Sequence, residues 1–182
     1  MDLCGKILSR RLAGERLALE DGVQLYSCDL LRLGQAAQQL VPRLRPRAVS
    51  FVVDRNISYT NVCTIGCDFC AFHCAPGAPG AFVLTVEQVL RKVRELVALG
   101  GTQVLIQGGI HPDLGLDYFL DMVHAIHREF PQVAIHSFSA IELDVLSKRS
   151  GTVLPMLLRK FKEAGLNSLP GGGAEILVER VR

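Results

Sequence analysis

Apolar residues recur along the chain at two spacings, and the alternation between them predicts its elements. In the first forty-odd residues Leu8, Leu12, Leu17, Leu19, Val23 and Leu25, then a second run from Leu30 to Leu40, follow the helical period. Pro42 and Pro46, set among Arg43, Arg45 and Arg47, break that pattern. Val49-Ser50-Phe51-Val52-Val53-Asp54 is rich in β-branched and aromatic residues and reads as a first strand. Thr85-Val86-Glu87-Gln88 has the form of a capping box, and Val86, Leu90, Val93 and Val97 carry a helix that Gly100-Gly101 stops. Gln103 to Gln107 reads as a buried second strand. A helix from about Asp117 to Phe130 turns Phe119, Met122, Val123 and Ile126 to one face, and Gln132 to His136 is a third strand. A helical stretch over Leu154, Leu157, Leu158 and Phe161 ends at Gly165, after which Asn167-Ser168-Leu169 begins a fourth strand.

Strands separated by helices of this length predict an α/β fold with a parallel sheet and right-handed crossovers. In such folds ligands collect at the carboxyl ends of the strands. Each unusual motif falls at one of those ends. The cysteines follow the first strand and Gly108-Gly109-Ile110-His111-Pro112 the second; Ser137 to Glu142 follows the third and Pro170 to Glu175 the fourth.

Composition narrows the classes. With 182 residues, 49% hydrophobic and 21% charged, the chain can bury a core, which excludes wholesale disorder. A net charge of +2 argues against nucleic-acid and membrane partners. The start, Met1 to Leu8 followed at once by Ser9-Arg10-Arg11, lacks a secretory apolar core. A cytoplasmic protein is expected, whose cysteines serve metal or catalysis and not disulfides. Cys63, Cys67, Cys70 and Cys74 lie within twelve residues, whereas Cys4 and Cys28 stand apart and are expected to be inert packing residues.

Cys63-Thr64-Ile65-Gly66-Cys67-Asp68-Phe69-Cys70 spaces three thiols as C-x3-C-x2-C. Thiolates are soft ligands for zinc or iron-sulfur clusters. Three of them on a four-iron cubane leave one iron open, which is what a reactive site needs. Counting Cys74 gives a fourth thiol that would close a structural zinc site or an electron-transfer cluster. Against that, ferredoxin spacing begins C-x2-C and zinc ribbons pair two separated knuckles. Cys74 is therefore expected not to be a ligand. The glycine pair Gly108-Gly109 allows close backbone approach to a ligand. Gly171-Gly172-Gly173 lacks the Lys-Ser/Thr of a phosphate loop. His73, His111, His136, Ser139 and Glu142 lie near the strand ends, and His124 with His127 reads as a solvated helix edge.

The C-x3-C-x2-C series, with the aromatic Phe69 before its third cysteine, resembles the signature of radical S-adenosylmethionine (radical SAM) enzymes. That resemblance implies a 4Fe-4S cluster on Cys63, Cys67 and Cys70 and S-adenosyl-L-methionine on the open iron, cleaved to a 5'-deoxyadenosyl radical. It also implies cofactor contacts from Phe69, Gly108, Gly109 and Glu175.

Longer stretches resemble one family within it. Asp54 to Cys63, Cys70-Ala71-Phe72, Gly100 to Gly109, His136 to Ser139 and Gly165 to Leu177 are together similar to the cyclic dehypoxanthine futalosine synthases of the futalosine route to menaquinone, with the aminofutalosine synthases of the same route as the alternative. The implied fold is a partial (βα) TIM-type barrel of the radical SAM type. About four parallel strands would be present, with an N-terminal helical extension over 1–47 and the incomplete barrel domain over 48–182. The implied substrate is dehypoxanthine futalosine, a small molecule, with an electron donor such as flavodoxin or ferredoxin. Hydrogen abstraction from the ribose would let the carbon radical add to the substrate's own benzoate ring, and Glu142 or His136 would take the final proton. Ser58 departs from the Asn expected there. Because the family is about twice this length, the chain is expected to be its N-terminal part.

Overall fold

The computed structural model describes residues 2–44, 49–67, 70–172 and 178–181, and the chain divides into two compact units, 1–51 and 52–182. The first unit contains helices α1 (Leu3–Leu12), α2 (Leu19–Leu25) and α3 (Leu30–Leu44). Asp2 caps α1 by accepting from the Gly5 N–H at 2.7 Å, and Arg32 of α3 donates to the same carboxylate at 2.6 Å. The Arg32 guanidinium first, then the Gly5 amide, lower the Asp2 carboxyl to about 2. Pro42 lies inside α3 instead of ending it, because in the last turn it forfeits one hydrogen bond at most.

Cys4 and Cys28 are not packing residues. The fold of the three helices brings their Cα atoms to 5.8 Å, inside the range a disulfide spans, and the two are bonded across 24 residues of sequence.

The second unit is built on a parallel sheet of β1 (Asp54–Ile57), β2 (Gln103–Ile106) and β3 (Ala134–Ser137), in that order. Its helices are α4 (Val86–Ala98), α5 (Leu116–Glu129), α6 (Ala140–Ser150) and α7 (Leu154–Ala164). Alternation along the strands gives the sheet two faces. Val104 pairs with Ile135, and Ile57, Ile106 and Ser137 form the next row, all fully buried. Asn56, Leu105 and His136 form the row on the opposite face, which is more open. The buried face meets Val89, Val93, Met122, Ile126, Leu157 and Phe161 in one core. Edge-to-face contacts run from Tyr59 to Phe119 to Phe138, with centroids 5.3 and 5.7 Å apart.

Two expectations need correction, and one helix was not expected. The first strand is not the apolar run from Val49: Val49 and Phe51 are exposed, and the ladder begins at Asp54, opposite Gln103. Register chose the polar Asp-Arg-Asn-Ile segment, whose Arg55 escapes the core by reaching Glu95 at 2.6 Å. The fourth strand amounts, among the described residues, to a single parallel bridge between His136 and Ser168. The stretch beyond the third strand, to which the apolar pattern assigns no element, becomes α6 from Ala140 onward.

Candidate functional site

All the strand-end segments meet at one edge of the sheet, and hydrogen bonds tie them together. The segment after β1 is held twice. Cys63 N–H donates to the Cys74 carbonyl at 3.1 Å and Cys74 N–H to the Asn61 carbonyl at 2.9 Å, a parallel bridge pairing Val62 with Cys74. Further on, the Thr64 N–H and hydroxyl both donate to the Ile110 carbonyl, at 3.0 and 3.1 Å, joining the cysteine loop to the loop after β2. Asn61 braces the return segment through Gly80 and Phe82, both at 2.9 Å.

Cys63 and Cys74 are half-buried and Cys67 and Cys70 exposed; none of the four is in a disulfide. The Cys70 N–H donates to the Cys67 carbonyl at 3.0 Å, which keeps the backbones of these two residues close. In the bridge, Cys74 lies opposite the buried Val62. Among the described residues no three His, Cys, Asp or Glu side chains draw together as they would around one metal ion. A cubane presents its irons at separate corners and does not ask the thiolates to meet at a point. Unbridged soft thiols on an exposed loop at the strand ends are a donor set suited to such a cluster.

Gly108 and Gly109 lie where any side chain would collide. A Cβ on Gly108 would fall 2.6 Å from the Tyr59 ring; one on Gly109 would strike the Val62 carbonyl and come within 2.8 Å of the Cys63 Cβ. The pair is therefore pressed against the root of the cysteine loop. Gly109 N–H donates to the Thr60 carbonyl at 3.0 Å, and its own carbonyl accepts from His111 N–H at 3.1 Å. Among the described residues no donor reaches the Gly108 carbonyl.

Glu142 is buried, and every donor around it is fixed. Its Oε1 accepts from the Tyr59 hydroxyl at 2.7 Å and from Gly108 N–H at 3.2 Å, and its Oε2 accepts from Ser139 N–H at 2.6 Å. Burial first, then the Glu142 charge, push the Tyr59 hydroxyl far above the ordinary phenol range, so it serves as a donor. The reach to Glu142 follows from the chain before it. Phe138, fully buried, takes a left-handed backbone with φ of +70°, costly for a non-glycine residue, and so turns β3 abruptly into α6. Ser139 then caps α6 and Glu142 sits at its third position. A cleft of about 20 Å3, room for one water, opens beside this network between Tyr59, Gly109, Leu114, Phe119, Glu142 and Arg149.

His136 stands on the opposite, open face of the sheet, its Nδ1 2.6 Å from the Ser168 hydroxyl oxygen. The two residues expected to serve the final proton transfer thus lie on different sides of β3: Glu142 in the buried network, His136 half-exposed. Gln107 donates to the Gly171 carbonyl at 3.0 Å, which brings Gly171 to the same edge. Phe69 and Glu175 lie outside the described residues. Tyr59 received no role in the sequence reading. Its signal was the period of two from Ile57, which sends the ring into the core and obliges the hydroxyl to find a partner.

A parallel sheet with a multi-cysteine loop at the carboxyl end of its first strand and a glycine pair at that of its second is a recognisable arrangement. The chain belongs to the radical SAM superfamily, whose family model matches residues 57–181. Members of that family bind a 4Fe-4S cluster and S-adenosyl-L-methionine. The fold agrees: the crystal structure of the FeFe-hydrogenase maturase HydG from Carboxydothermus hydrogenoformans matches with a TM-score of 0.57 at 17% identity, over 93% of this chain and 47% of that one. Among curated relatives, the chain is similar to the cyclic dehypoxanthine futalosine synthase of Halalkalibacterium halodurans, 44% identical over 97% of this chain and 48% of that protein. It is also similar to the 5-amino-6-(D-ribitylamino)uracil–L-tyrosine 4-hydroxyphenyl transferase of Synechocystis sp., 38% identical over 96% of this chain and 48% of that protein. The chain spans about half the length of these relatives.

Proposed function

We propose that this chain carries the cluster and S-adenosylmethionine site of a cyclic dehypoxanthine futalosine synthase, acting in the cytoplasm on dehypoxanthine futalosine, a small-molecule substrate. The observation that supports it most is the loop of unbridged cysteines, fastened by Thr64 to Ile110 and lying with Cys63 close against Gly109. Identity favours this relative over the transferase, 44% against 38%. Cys63, Cys67 and Cys70 would hold the cluster and Gly108 with Gly109 would receive the methionine end of the cofactor, with Phe69 and Glu175 as further contacts. When bound, this cofactor pair supplies a 5'-deoxyadenosyl radical, the cluster taking its electron from a flavodoxin or ferredoxin. The protein's own residues keep the cysteine loop, the glycine pair and α6 in fixed register, and such positioning is where an enzyme gains much of its rate. His136, on the open sheet face with one nitrogen engaged by Ser168, would take a proton from a ligand lying over that face.

The test is anaerobic reconstitution with iron and sulfide, followed by S-adenosylmethionine, reductant and dehypoxanthine futalosine. Four irons and four sulfides per chain are expected. Free 5'-deoxyadenosine together with a cyclised product supports the cyclase. An adenosyl group built into the product would identify an aminofutalosine synthase instead, and zinc without sulfide would overturn the family-based assignment of the cysteines.

A further inference from the structure

The Tyr59–Glu142 pair has a geometry that a core-filling role does not require. Glu142 comes from α6 and Tyr59 from the segment after β1, yet both converge on the turn after β2. Peptide geometry then fixes where that turn points. The N–H of the Gly108–Gly109 peptide is directed at the Thr60 carbonyl, and in a trans peptide the C=O is directed the opposite way. The preceding peptide is fixed separately, because its N–H, on Gly108, donates to Glu142. The carbonyl between these two anchors is that of Gly108, the one no protein donor reaches among the described residues. The Gly109 carbonyl has two donors near it, His111 N–H at 3.1 Å and the Tyr59 hydroxyl at 3.3 Å.

We propose that Tyr59 and Glu142 are positioning residues that hold the Gly108–Gly109 turn in the orientation in which it receives the methionine end of the bound cofactor, with the Gly108 carbonyl left unpaired among the described residues. This rests on the reading that the chain binds a cluster and S-adenosylmethionine. Glu142 is then no base for the reaction: its oxygens are committed to Tyr59, Gly108 and Ser139, and an amide in its place could accept at one atom only. Tyr59 divides its work, the ring filling the space a Gly108 side chain would take and the hydroxyl holding the carboxylate.

Y59F and E142Q test it, with Y118F as control, since the Tyr118 hydroxyl donates to the Leu84 carbonyl at 2.8 Å and has no link to the glycine pair. Each reconstituted chain is titrated with S-adenosylmethionine while the electron paramagnetic resonance signal of the reduced cluster is followed. Iron, sulfide and far-ultraviolet circular dichroism are measured alongside. Y59F and E142Q are expected to keep cluster and fold but need about tenfold more S-adenosylmethionine to change the signal, as loss of a hydrogen bond to a charged group implies. Y118F is expected to titrate like the parent. Parent-like midpoints in Y59F and E142Q, or loss of fold in both, would overturn the proposal while leaving the functional reading intact. A parent chain that takes up no cluster, or whose cluster ignores S-adenosylmethionine, overturns the functional reading and this inference with it.

Discussion

Gly109 shows how much of the site depends on the absence of one methyl group. A Cβ there would overlap the Val62 carbonyl and press on Cys63, and neither is the free end of a flexible side chain. Gly109→Ala must therefore displace the root of the cysteine loop, an overpacking cost of about 1–3 kcal/mol. The expected outcome is a lower thermal midpoint and iron uptake well below the parent's, with helix content retained; parent-like iron content would show that the loop accommodates the methyl group. The three cysteines were legible because their spacing is local, written within eight consecutive residues. The Tyr59–Glu142 contact was not, because its partners are 83 residues apart and only the sheet register brings them together. Cys4 and Cys28 misled for the same reason: helix packing, not spacing, decides that they pair.

At the scale of elements, α6 links backbone strain to the site. Its start is defined by Phe138 in the left-handed region and by a reciprocal capping box, in which the Ser139 hydroxyl accepts from Glu142 N–H at 3.2 Å. Removing that hydroxyl in Ser139→Ala frees one amide but spares the bond from Ser139 N–H to Glu142, which belongs to the backbone. A loss of about 1 kcal/mol is expected, or about 2–4 °C in thermal midpoint for a chain of this size. A drop several times larger would mean that the serine side chain also holds the segment at Gly172, since a Gly172 Cβ would lie 3.1 Å from it. Helices α4, α5 and α7 were predictable from strong apolar periodicity. Helix α6 was not, because only Leu143 and Leu146 among its apolar residues are buried. The first strand was misplaced by the opposite error, since apolar content was taken for strand where register selected Asp54–Ile57.

For the molecule as a whole, the position of the cysteine loop relative to the core decides how metal and fold are linked. The core of the second unit runs from Ile57 and Tyr59 through Val104, Ile106 and Ile135 to Leu157 and Phe161, and no cysteine belongs to it. The loop's fastenings are backbone hydrogen bonds that pair Cys63 with Cys74, Cys74 with Asn61 and Thr64 with Ile110, and they need no metal to form. This is the reverse of a small zinc-stapled domain, where ligand binding supplies the folding energy and the apo chain is unfolded. Here apolar burial by sheet and helices supplies it. Apo protein, stripped of iron by a chelator under anaerobic conditions, is accordingly expected to keep the far-ultraviolet circular dichroism of the reconstituted form and to unfold in a cooperative transition. Reconstitution should raise the midpoint only as ligand binding to a folded state does, by an amount set by affinity. Loss of helix signal on chelation would mean that the cluster organises the sheet and not only the loop, and the separation of core from site drawn from these contacts would fail.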